Sequence, residues 1–115
     1  MIIALLAATL ASQPAPCEVG YEQLVAGQSD AAITVISHQP ETDDPARLIN
    51  LGVAYARMGD TERARAMFRA AHGSDERVDL ETATGEWVYS RVLARRALAM
   101  LDSGEFGRGE MLARK

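Results

Sequence analysis

The 115-residue chain has one cysteine, one lysine, an aromatic content of only 5% and a net charge of just −4. Each scarcity removes a class of protein. Cys17, being alone, cannot form an internal disulfide; it is either a buried small hydrophobe or an unpaired thiol open to pairing between chains. No CxxC or HExxH pattern occurs, and neither His38 nor His72 has a carboxylate or cysteine at metal-ligand spacing. Both histidines fall near expected helix C-termini, where the dipole favours a surface imidazole. The weak negative charge gives no general attraction to nucleic acid or anionic lipid. Eleven arginines against one lysine is read mainly as compositional bias, with a lesser preference for pairing with carboxylates. The glycines of "GEFGRG" follow no predicted strand, so no phosphate-cradling loop is present. The acidic stretches "ETDDP" and "SDERVDLE" read as solvated connections. No catalytic residue, cofactor or metal is expected.

Long apolar runs are missing too. "MIIALLAATLAS" holds an uninterrupted apolar run of roughly ten residues, short of the ~20 that a membrane-spanning helix needs. Its length suits the apolar region of a signal peptide, and Thr9-Leu10-Ala11 offers small residues for cleavage. The n-region carries no Lys or Arg, and the competing reading is a buried N-terminal helix. Pro14 and Pro16 of "SQPAP" halt any helix there. A lipid anchor at Cys17 is rejected, because Pro16 and Pro14 stand where small and aliphatic residues are required. Residues 1–16 are thus read as a signal peptide (about 1–11) with a Pro-containing spacer. Residues 17–115 are read as one domain, periplasmic or secreted, with no stable membrane span after leader removal.

What the chain does have is alanine, leucine and a patterned stretch, "LINLGVAYARMGDTERARAMFRAA", at residues 48–71. Asp44-Pro45 predicts a helix start, an acidic cap followed by a first-turn proline. Leu48, Leu51, Gly52, Tyr55 and Met58 then share one helical face, and Ala64, Met67, Phe68 and Ala71 share another. Gly59-Asp60 interrupts with a left-handed cap and a new N-cap, and His72-Gly73 ends the second helix. Two helices of about 13 residues on so short a turn lie antiparallel. The small residues Gly52 and Ala64 allow the backbones to approach, with Tyr55 and Phe68 filling the flanks. Met58, Met67 and Met100 all fall at core spacing, which argues against a methionine-rich binding face.

Leu51-Gly52, Tyr55, Gly59, Ala64, Phe68 and Ala71 resemble the tetratricopeptide repeat, a 34-residue helix-turn-helix unit. Leu48 replaces a common tryptophan, and Glu76 replaces the closing proline. One such unit cannot bury its own face, so neighbours are required. Upstream, Val19-Gly20, Gly27, Ala32 and Ile36 repeat Leu51-Gly52, Gly59, Ala64 and Phe68 at a constant offset of 32, which predicts helices over 17–26 and 30–38. Downstream, Leu93, Ala97, Met100 and Leu101 share a face of "LARRALAMLDSG", ending at Gly104, like the first helix of a third unit. The tail "EFGRGEMLARK" has too many glycines for a firm helix and is read as a frayed terminal turn.

Gly59 and Gly104 are 45 residues apart, 11 more than the family period. The excess falls in "VDLETATGEWVYS". A two-residue turn at Thr84-Gly85 would pair Thr82 with Trp87 and Leu80 with Tyr89, on the face shared with Val78. Glu81 and Glu86 would face solvent. The rival is a longer helix starting near Thr84. Trp87 either anchors the hairpin to the helices or supplies an aromatic contact at a groove mouth. The fold expected is mainly α: an antiparallel helix-hairpin repeat array, tetratricopeptide-like, with a small β-hairpin insertion near 78–89.

The family resemblance implies a non-enzymatic protein- or peptide-binding module, its concave surface formed by first helices 17–26, 45–58 and 91–103. The alternative is a structural subunit that stacks or self-associates through its repeat edges, so a homo-oligomer is a possible partner. In some peptide-binding members of the family, a basic-and-amide clamp holds the carboxylates at a partner's C-terminus. By repeat register the amide falls on Asn50 and the basic pair on Arg91 and Arg95, one helical turn apart; the first-repeat positions, Cys17 and Tyr21, cannot supply their share. The competing reading is solvated arginines and a structural asparagine.

Overall fold

A computed structural model describes residues 19–38, 43–104, 106 and 112–114. The expected leader and spacer, residues 1–16, and Cys17 lie outside the described residues. Helices α1 (Tyr21–Val25) and α2 (Ser29–Ser37) form one hairpin, and α3 (Pro45–Arg57) and α4 (Thr61–Gly73) a second. The acidic caps at Asp44 and Asp60 are in place, whereas α2 starts at Ser29 itself, behind Gln28, which makes no side-chain cap bond. The Asp44 carboxylate accepts from Ala46 N at 3.2 Å with Pro45 in the first turn, and Asp60 accepts from Arg63 N at 3.1 Å. Gly59 turns the chain between α3 and α4 at φ +82°, and Gly27 turns it between α1 and α2 at φ +77°.

The 32-residue offset is also visible in the packing. A Cβ on Gly52 would stand 2.6 Å from Phe68 Cδ1, and one on Gly20 would stand 2.8 Å from Ile36 Cδ1. Ala32 and Ala64 are both fully buried. The first hairpin is the shorter. Gly20 sits at φ +71°, which a right-handed helix cannot continue through, so α1 begins at Tyr21 instead of residue 17. Arg57 Nη1 donates to Leu24 O at 2.7 Å, tying α3 to the end of this short helix.

Helix α3 is central: it meets α1, α2 and α4, together with α5 (Ser90–Ser103) and the last strand. Its buried positions include Ala46, Ile49, Gly52, Val53 and Ala54. It therefore packs around most of its circumference, beyond the single face expected. Of the predicted face, Gly52 is buried, Leu48, Leu51 and Tyr55 are half-buried, and Met58 is 58% exposed. Met58 is the C-cap just beyond Arg57, next to the left-handed Gly59 turn. Leu93, Ala94 and Ala97 of α5 complete the interior, and Phe106 stacks on Phe68 with ring centroids 5.5 Å apart. Arg65 and Asp102 join α4 to α5 across 3.0 Å.

Between α4 and α5 lies the hairpin, strands β1 (Asp79–Thr82) and β2 (Trp87–Tyr89), in place of the rival longer helix. Its register differs from expectation by one residue: Leu80 pairs with Val88, and Glu81 with Trp87. The cause is the turn. Thr82 N bonds Glu86 O at 2.8 Å and Gly85 N bonds Thr82 O at 2.9 Å, so the loop is Ala83-Thr84-Gly85, with Gly85 at φ +84°. That is the three-residue connection ending in a left-handed glycine. A one-residue slip turns every side chain of a strand over. Leu80, Thr82 and Val88 are consequently buried, while Trp87 and Tyr89 face outward at 61% and 37% exposure. Trp87 does not anchor the hairpin to the helices.

The tail is not a frayed turn where it is described. Residues 113 and 114 form β3 (Ala113–Arg114), which pairs antiparallel with β1, and Leu112 and Ala113 are fully buried. The molecule is mainly helical, with a three-stranded antiparallel sheet in the order β2-β1-β3.

Candidate functional site

The most elaborate polar arrangement among the described residues surrounds 112–114. Asn50, on α3, is wholly buried. Its Nδ2 donates to Ala113 O at 2.7 Å and to Val19 O at 2.9 Å, and its Oδ1 accepts from Ala113 N at 2.8 Å. The side-chain amide thus does for Ala113 what a neighbouring strand would do. It satisfies both main-chain groups that point away from β1.

The next residue is held by its charge. Arg114 Nε and Nη2 donate to the two carboxylate oxygens of Glu81 at 3.2 and 3.1 Å, a two-pronged contact. The Arg114 guanidinium also lies 5.1 Å from the centroid of the Tyr21 ring. The hydrogen bond to Glu81, then its negative charge, holds the arginine's pKa above its ordinary value. Glu81 opposes Arg114 in the ladder and Thr82 opposes Ala113. The bed for this segment therefore has an apolar seat for Leu112, a tight seat for Ala113 and a carboxylate with an aromatic ring for Arg114.

The residues read as a clamp separate accordingly. Asn50 is committed to the backbone of Val19 and Ala113, and neither arginine shares those bonds. It does not present its amide to an exposed groove, because β3 covers it. Arg91 and Arg95 do lie together on α5, in its first and second turns, with Arg91 half-buried and Arg95 exposed. No partner for Arg91 Nε is present among the described residues. Tyr21, set aside as a clamp residue, instead receives Arg114.

Sequence reasoning missed β3. One signal was available: Asn50 interrupts the apolar "LINLGVAYA" run, and an amide in that position needs buried hydrogen-bond partners.

At the opposite margin of the sheet, no strand pairs with the outer side of β2 among the described residues. Thr82 N bonds Glu86 O and Ser90 N bonds Val78 O, so the alternation leaves the main-chain groups of Trp87 and Tyr89 pointing away from β1. Strand β2 carries no charged residue to discourage pairing.

No group of three or more His, Cys, Asp or Glu residues is arranged to hold a metal ion among the described residues. No described helix is long and apolar enough to cross a membrane. Comparisons with family models, with curated proteins and with solved structures gave no match.

Proposed function

We propose that the chain is a non-enzymatic protein- or peptide-binding module of tetratricopeptide-like helix hairpins, exported to the periplasm or secreted. The observation that supports this reading is the bed on α3 and β1. It holds an extended main chain through an amide, a strand edge and a carboxylate. Such contacts recognise extended polypeptide, with main-chain bonds giving affinity and side-chain seats giving specificity. Arg91 and Arg95 add a second element, a basic pair at the start of α5 suited to carboxylates of the same partner.

The test is capture of partner proteins on the mature chain, with Arg91→Ala/Arg95→Ala as the comparison. Losing a bidentate charge pair should weaken binding of a captured partner by about 2 kcal/mol or more. Unchanged affinity would remove the arginines from the site, and failure to retain any partner would remove the function. Export is checked on protein isolated from its native host. Its first residue should lie just after residue 11, and a chain retaining Met1 in the cytoplasm would refute secretion.

A second reading, a subunit that self-associates, is favoured by one observation: the uncharged, outward-facing edge of β2 with Trp87 and Tyr89 exposed. Mass measured against concentration separates the two. A species that grows with concentration, and that Trp87→Lys returns to monomer, supports assembly; a wild-type monomer throughout leaves peptide binding alone.

A further inference from the structure

Residues 112–114 fill a site whose polar contacts are mostly indifferent to which residues occupy it. Asn50 touches only the main chain of Ala113, and the β1 ladder does the same. Selectivity comes from three places. Leu112 is fully enclosed; Ala113 is fully enclosed too, where a larger side chain would overpack the site; Arg114 is matched by Glu81 and Tyr21. Among the described residues the occupant places two in the ladder, and Arg114 is exposed. A segment at the margin of a sheet can open locally at a lower cost than global unfolding.

We propose that this bed is a receptor for an extended segment of a partner protein with the pattern aliphatic–small–arginine, and that residues 112–114 are its resident competitor. The proposal rests on the peptide-binding reading and names both the partner's sequence pattern and the control on its access. The resident segment lowers the apparent affinity for a segment in trans by the fraction of molecules in which the bed is open. Releasing it should expose the site at full strength.

The experiment uses the full chain with Ala113→Pro. This removes the N–H that Asn50 accepts and disfavours the extended pairing, yet leaves every receptor residue unaltered. The probe is a dye-labelled synthetic peptide with the sequence of residues 106–115, followed by fluorescence anisotropy. The Ala113→Pro chain should bind it about tenfold or more tightly than wild type. Glu81→Arg in that background should abolish binding, and a probe carrying Arg114→Glu should restore it. Should Ala113→Pro fail to fold, Arg114→Glu in the full chain weakens the resident without touching the ladder and should give an intermediate gain.

Equal binding of the probe by wild type and a folded released variant overturns the proposal, as does a Glu81→Arg effect that the reversed probe does not rescue. So does a wild-type dimer that Ala113→Pro abolishes while the variant takes up no probe, since the occupant would then be a second copy. None of these outcomes bears on capture through Arg91 and Arg95, so the broader function can stand if this proposal falls.

Discussion

Gly52→Leu should lower the unfolding free energy by about 3 kcal/mol, at the upper end of overpacking costs. A side chain at residue 52 meets the Phe68 ring at once: even the first carbon would lie within 2.9 Å of three ring atoms. Phe68 cannot retreat, being fully buried with Phe106 stacked against it. Gly52→Ala isolates the contact. Alanine gains roughly 1 kcal/mol of helix propensity over glycine, so any net destabilisation must come from the ring. In a Phe68→Leu background the same change should be neutral or stabilising, a coupling of about 2 kcal/mol between the two sites. Urea midpoints of the four chains measure it. Additive effects would mean that α3 and α4 do not meet at this pair.

Asn50→Asp should be nearly as costly, about 3 kcal/mol near neutral pH. The change keeps the shape and deletes both donors. The new carboxylate would face the carbonyl oxygens of Val19 and Ala113, now 2.9 and 2.7 Å from the amide nitrogen. Burial among carbonyls disfavours the charged form, so the folded-state pKa of the new group should lie above its unfolded value of about 3.9. The destabilisation is then greatest above the folded-state pKa and shrinks as pH falls toward the unfolded one, because a protonated carboxyl regains a donor. Urea midpoints relative to wild type should show a smaller penalty near pH 4 than near pH 7. An equal penalty at both would show that the donors do not matter.

Local features of this fold were legible. The Asp44 and Asp60 caps and the Gly59 turn are set by residues within one hairpin, and spacing alone exposes them; the need for a small residue at Gly52 was equally plain, but the ring that lies over it is Phe68, which the spacing places on a flank. The hairpin was legible in kind, but its register hung on whether the loop had two residues or three. Gly85 suits both turns, so Trp87 and Tyr89 were placed on the wrong face. Strand β3 was hidden for another reason. Two residues carry no periodicity, and the partners of Ala113 lie 63 residues away at Asn50 and 31 away at Thr82. Asn50 drew attention as a candidate ligand group for the same reason that it matters to the fold: it is a hydrogen-bonding amide on the inner surface of α3.

The two margins of the small sheet differ in kind. At one, the Asn50 amide closes the main chain of Ala113; at the other, no described strand pairs with the outward main-chain groups of Trp87, while the Tyr89 carbonyl caps α5. If the chain self-associates through β2, this asymmetry caps the number of copies that can join. A sheet that can accept a neighbour on one side only can join one other sheet, by two-fold symmetry, and growth then stops. In that case, unsealing the Asn50 side would give each molecule a second margin for pairing, and growth would no longer stop at two.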